Sequence, residues 1–92
     1  MNTQNVQADH PGRILEQMII DRKIVRSKMA MDIGMYPTQI TDIVKGRKDI
    51  SPVIALRLEN AFDLPAEYWL EQQMKYDLFK ERLNLESSKI NP

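Results

Sequence analysis

The prolines at 11, 37, 52 and 65 and the glycines at 34 and 46 are the residues that most restrict what this chain can form. Proline is accepted in the first turn of a helix but not in its interior, and glycine takes the positive φ of a tight helix stop. Together they divide the chain into short segments, and each segment carries a helical apolar period. From Pro11, Ile14, Leu15, Met18 and Ile19 share one face of a first helix ending near Arg22-Lys23. A second runs from about Arg26 to Ile33 with Met29, Ala30 and Ile33 inward, and Gly34 ends it. A third opens at Pro37, turns Ile40, Ile43 and Val44 to one side and stops at Gly46. Ser51-Pro52, an N-cap followed by proline at the first helical position, opens a fourth with Ile54, Leu58, Ala61 and Phe62 inward.

The fifth segment, Pro65 to about Leu83, differs in having two apolar stripes: Leu70, Met74 and Leu78, then Trp69, Tyr76, Phe79 and Leu83. One stripe meets the core and the other needs a second partner. The aromatic stripe, Trp69, Tyr76, Phe79 and Leu83, is the candidate dimer contact, although aromatic residues at this spacing serve cores as well. No strand-like alternation longer than a few residues and no repeat is visible. The expected fold is all-α with five helices: a polar tail over 1–9, one domain over 10–83 and a second polar tail over 84–92.

With 92 residues there is room for one core only, and the absence of cysteine removes disulfides, thiolate nucleophiles and cysteine zinc sites. His10 is the sole histidine, so no metal cluster or Ser-His-Asp relay can be assembled around it, and fixing the start of the first helix is its expected role. Neither an enzyme nor a cofactor is expected. The apolar runs are too short to span a membrane, and Met1-Asn2-Thr3-Gln4-Asn5 is unlike a signal peptide, so the cytoplasm is the expected compartment. Of the six methionines, Met18, Met29 and Met74 fall on apolar faces, leaving Met31 and Met35 as expected exposed contacts.

The second and third helices fit a helix-turn-helix position by position. Counting from Arg26, the fifth position is the small Ala30, the ninth is Gly34 in the turn, and the fifteenth and eighteenth are Ile40 and Ile43. Arg26, Ser27 and Lys28 then face phosphates at the start of the first motif helix. Pro37, Thr38, Gln39, Thr41 and Asp42, on the outer face of the second, meet base edges. Gln39 stands out because a glutamine amide can pair bidentately with adenine. Lys45, Arg47 and Lys48, directly after that helix, are candidate phosphate contacts. Charge agrees with this placement: residues 22–48 hold seven basic and two acidic residues, a net +5, while the other six basic and eleven acidic residues carry −5. A protein neutral overall thus has a basic segment on its helix-turn-helix and an acidic remainder suited to a basic protein partner.

The sequence also resembles the HigA-type antitoxins of HigBA toxin-antitoxin modules, a branch of the phage-repressor-like (lambda-repressor-like) helix-turn-helix proteins. The resemblance covers about residues 10–79. It is carried by His10-Pro11-Gly12 with Ile14-Leu15, Gly34, Ile40, Ile43-Val44-x-Gly46, Ile50-Ser51-Pro52, Ala55-x-Arg57-Leu58, Ala61-Phe62, Glu67-Tyr68-Trp69-Leu70, Gln73 and Tyr76-Asp77-Leu78. It implies a dimeric autorepressor that binds an inverted-repeat operator in double-stranded DNA, is found at the nucleoid when so bound, and silences a HigB-type, RelE-like mRNA-cleaving toxin. The alternative is a regulator of the same fold without a toxin. Met35-Tyr36-Pro37 departs from relatives, which more often carry Ser, or Pro and a polar residue, at the start of this helix. Pro37 has no N–H to offer DNA, so operator specificity does not transfer, and Thr38 and Gln39 become the base-reading candidates.

Overall fold

The computed structural model describes residues 8–90, and among them five α-helices and no strand are found: α1 (Pro11–Asp21), α2 (Arg26–Asp32), α3 (Pro37–Val44), α4 (Pro52–Phe62) and α5 (Ala66–Ile90). The all-α, five-helix expectation holds, and α1, α3 and α4 start where their prolines place them. Pro11, Pro37 and Pro52 each occupy the first helical turn, where a missing N–H costs nothing. Ser51 Oγ accepts from the Ile54 N–H at 3.3 Å, the expected N-cap.

The first three helices stop in the same way. After α2, the Met35 N–H donates to the Ala30 carbonyl at 2.8 Å and the Gly34 N–H to that of Met31 at 3.2 Å, a paired closure around one left-handed residue. The same pair of bonds closes α3 through Gly46 and Arg47, and α1 through Lys23 and Ile24. Gly34 and Gly46 carry the positive φ without strain, whereas Lys23 takes it (φ 54°) with a side chain present. Arg22 and Lys23 therefore belong to the stop of α1 and not to its last turn.

The core is formed by Leu15, Ile19, Ala30, Ile40, Ile43, Ala55, Leu58, Phe62 and Trp69, together with neighbours from every helix. Two expectations about single residues fail. Met35 is buried: it is the residue just past the glycine that ends α2, where the closing turn folds an apolar side chain back onto the helix. Met74, expected on an inward face, is about half exposed: no element among the described residues covers it on α5. Met31 is 79% exposed, as expected.

The fifth helix extends past its expected end at Leu83 to Ile90, so most of the polar tail expected over 84–92 is helical. No proline or glycine follows Pro65 until Pro92, and polarity by itself does not end a helix. Residues 1–7 of the expected N-terminal tail, and 91–92, lie outside the described residues. Among the described residues no helix is long and apolar enough to cross a membrane.

Candidate nucleic-acid interface

The helix-turn-helix positions behave as their spacing predicts. Ala30 is fully buried where α2 crosses α3, and Ile40 and Ile43 are fully buried beneath α3. Arg57 on α4 closes the turn from below, its Nη1 donating to the Ile33 carbonyl at 2.7 Å and the Gly34 carbonyl at 3.1 Å. These are carbonyls at the end of α2, where a cation also meets the negative end of the helix dipole.

The far end of α3 is held by the first residues of α1. Gly12 lies so close to α3 that a Cβ there would overlap the Ile43 carbonyl oxygen. His10 caps α1, its Nδ1 accepting from the Gly12 N–H at 2.9 Å. That bond leaves the proton on Nε2, which donates to Asp49 Oδ1 at 3.1 Å across the loop after α3. The His10 ring also stands edge-on to Tyr76, with centroids 5.1 Å apart. The His-Pro-Gly opening is therefore a clamp joining α1, the basic loop and α5. Gln73 ties the same loop from the other side: its Oε1 accepts from the Ile50 N–H at 2.8 Å and its Nε2 donates to Asp77 at 3.0 Å.

On this frame Pro37 and Thr38 are exposed, and Gln39, Thr41 and Asp42 are half-buried at the edge of α3. Lys45, Arg47 and Lys48 are exposed in the following loop, and Ser27 and Lys28 are exposed on α2. Three of the basic side chains have carboxylates nearby: Arg26 with Glu16 at 3.7 Å, Lys28 with Asp32 at 3.5 Å and Arg47 with Asp42 at 4.0 Å. Solvated pairs of this kind hold little energy, so a phosphate can replace the carboxylate. Among the described residues Lys45 and Lys48 have no such partner. Arg22, counted in the basic segment, is engaged elsewhere, with Nη1 3.3 Å from the Phe62 carbonyl and the guanidinium 5.4 Å from the Phe62 ring centroid.

Gln39 is not free in the way its sequence position implies. Its Oε1 accepts from the Tyr36 N–H at 2.9 Å, closing the N-terminus of α3.

Of the four candidate dimer residues, Trp69 is fully buried inside its own chain, flanked by Phe62 and Tyr68, and so has no surface for a second copy. Its large ring fills the space between α4 and α5, where the helices approach before α5 leaves the core. Tyr76 and Phe79 are half-buried, and Leu83 is exposed. Leu70 is half-buried, while Met74 and Leu78, further along the other stripe, are exposed.

Sequence reasoning gave no role to three polar residues that hold the site: Arg57, Gln73 and Glu59, whose Oε2 accepts from the Ala66 N–H at 2.7 Å to cap α5. Their partners lie 7 to 24 residues away, beyond any local pattern. For Arg57 and Gln73 the resemblance to relatives is the one signal that marked the positions.

No family model matches the chain. It is 35% identical over 72 residues to virulence-associated protein I of Dichelobacter nodosus, covering 77% of this chain and 67% of that one. Among solved structures it is similar to an addiction module antidote protein of a HigA family from Coxiella burnetii, at 30% identity over 92% of both chains with a TM-score of 0.77. It is similar also to the Pseudomonas aeruginosa antitoxin HigA with higBA promoter, at 27% identity over 92% of both chains with a TM-score of 0.78. With the helix-turn-helix in place and these relatives matched along nearly the whole chain, the protein belongs to the HigA family of antitoxins.

Proposed function

We propose that this antitoxin is a homodimeric autorepressor that binds an inverted-repeat operator and also neutralises a HigB-type, RelE-like mRNA-cleaving toxin. The observation that carries the DNA half is the outer edge of α3: Thr38 and Gln39 lie on a helix anchored by fully buried Ile40 and Ile43 and followed at once by Lys45, Arg47 and Lys48. Such a helix offers polar atoms to base edges while its flanks neutralise phosphates. The relatives support it, since the Pseudomonas HigA structure is with higBA promoter. Two-fold symmetric operators are read by dimers, with half-sites about 10 base pairs apart.

The toxin half rests on charge. An RNA-cleaving toxin holds RNA through basic residues, and the acidic remainder of this chain includes exposed Glu67, Glu71, Asp77, Glu81 and Glu86 on α5. These lie on a different element from the DNA-reading residues, so toxin and operator bind separate surfaces. The test is a variant carrying Lys28→Ala, Gln39→Ala and Arg47→Ala. It should lose binding to its own promoter fragment in a gel shift and still rescue growth when the adjacent toxin is expressed. A folded variant that fails to rescue puts the toxin on the DNA face. Failure of the wild type to co-purify with the product of the adjacent reading frame leaves a regulator without a toxin.

A further inference from the structure

We propose that the toxin seats on the outer face of α4 and the acidic corner that follows it, its apolar surface covering Val53 and Leu56 and its cations meeting Asp63 and Glu67. The inference rests on the toxin half of the function proposed above and narrows it from the whole acidic remainder to one surface.

α4 turns Ile54, Ala55, Leu58 and Phe62 to the core. Its opposite side carries Pro52, Val53, Leu56 and Asn60, with Asp63 one residue past the helix, at offsets of 1, 4, 8 and 11 that keep them on one face. All five are exposed, Val53 at 61% and Leu56 at 56%, and no element among the described residues covers them. An apolar patch that passes into charge along one helix is the pattern of a protein-binding face with a polar rim.

The charge at its end has one sign. From Leu58 to Met74 the sequence holds Glu59, Asp63, Glu67 and Glu71 and no basic residue. Glu59 is occupied with the Ala66 N–H, and Glu71 lies 3.3 Å from Lys75. Among the described residues Asp63 and Glu67 have no cation beside them, and both are exposed. The nearby Arg22 and Arg57 are turned to backbone carbonyls, of Phe62 and of Ile33 and Gly34. The Asp63 N–H donates to the Glu59 carbonyl at 3.0 Å, so the corner is fixed before any partner arrives. Toward α2 the sign reverses, where Asn60 and Ala61 border a groove lined by Lys23 and Lys28.

These charges choose the occupant. Nucleic acid is repelled by them. A two-fold contact sets a patch against itself, so a second copy here would bring carboxylates together without a cation between them. A protein that holds RNA through basic residues offers the opposite charge.

The experiment measures binding of the full chain to the product of the adjacent reading frame, purified in a catalytically inactive form, at several salt concentrations. Three variants are compared with wild type, each checked for helicity by circular dichroism and for promoter binding by gel shift. Leu56→Lys should weaken toxin binding by on the order of tenfold or more. Asp63→Asn with Glu67→Gln should slow association about threefold and flatten its dependence on salt. Glu81→Gln with Glu86→Gln, on the far part of α5, should bind as wild type. Normal toxin binding by both of the first two variants overturns the proposal, as does a loss confined to the third. A Leu56→Lys chain that binds toxin normally but has a lower mass by light scattering gives this face to a second copy and overturns it as well. If wild type itself fails to bind the toxin, the toxin half of the proposed function falls, an outcome distinct from binding at another surface.

Discussion

Where α1 meets α3, one histidine engages Gly12, Asp49 and Tyr76 at once, and a glycine is present because nothing larger fits against the Ile43 carbonyl. Along the outer half of α5, by contrast, Met74, Leu78, Leu83 and Leu85 are between 43% and 61% exposed. Both regions are helical and both carry apolar residues at helical spacing. In the first, close packing dictates residue identity almost atom by atom. In the second, no element among the described residues covers this apolar surface, which is the condition that favours association. The contrast teaches that in this small domain α3 is held by close contacts within its own chain, while the outer half of α5 leaves a run of apolar side chains open.

The sharpest way to break this comparison is Gly12→Ala. If α1 and α3 are in contact as described, the added methyl forces them apart and should cost about 3 kcal/mol or more, at the upper end of overpacking effects, seen as a lower urea midpoint. A change below about 0.5 kcal/mol would mean the corner is looser than described. Arg57→Ala removes two charge-assisted bonds from the turn between α2 and α3 and should cost about 2 kcal/mol by the same measurement. His10→Ala, which removes the cap of α1 and the link to Asp49, should cost about 1–2 kcal/mol. His10→Asn, able to cap but not to reach as far, should recover part of it. The smallest effect on folding belongs to α5: Met74→Glu with Leu78→Glu should move protomer stability by no more than about 0.5 kcal/mol, yet lower the mass seen by light scattering. Unchanged mass with unchanged stability would remove this stripe from any interface.

The two regions were also unequally legible in the sequence. Proline at three helix starts fixed α1, α3 and α4, and the small residue, glycine and two isoleucines of the helix-turn-helix fell where their spacing put them. These signals are local, since a missing N–H or an αL turn constrains only the residues beside it. Burial of Met35 was encoded in the same way, as the apolar residue after a helix-ending glycine, but periodicity does not extend into a turn. Trp69 was misassigned because its period is compatible with either of two partners, and only the packing of α4 on α5 decides between them. The length of α5 was underestimated because a polar stretch without breakers stays helical. The cap made by Gln39 was hidden for another reason: an exposed glutamine and a capping glutamine are the same letter, and the difference is a single hydrogen bond.

The separation between what anchors α3 and what it displays has a consequence for how such regulators diverge. Gly12, Ile40, Ile43, Arg57 and Gln73 hold the helix and the loop after it from beneath, and none of them is among the residues we propose to face DNA. On that proposal the exposed Thr38 can be exchanged without touching the scaffold, so a new operator preference can be grafted onto an unchanged body. Gln39, which closes the start of α3 through the Tyr36 N–H, belongs to both sets. A graft that replaces it must supply another acceptor for Tyr36, which makes position 39 the slowest letter of this recognition surface to change.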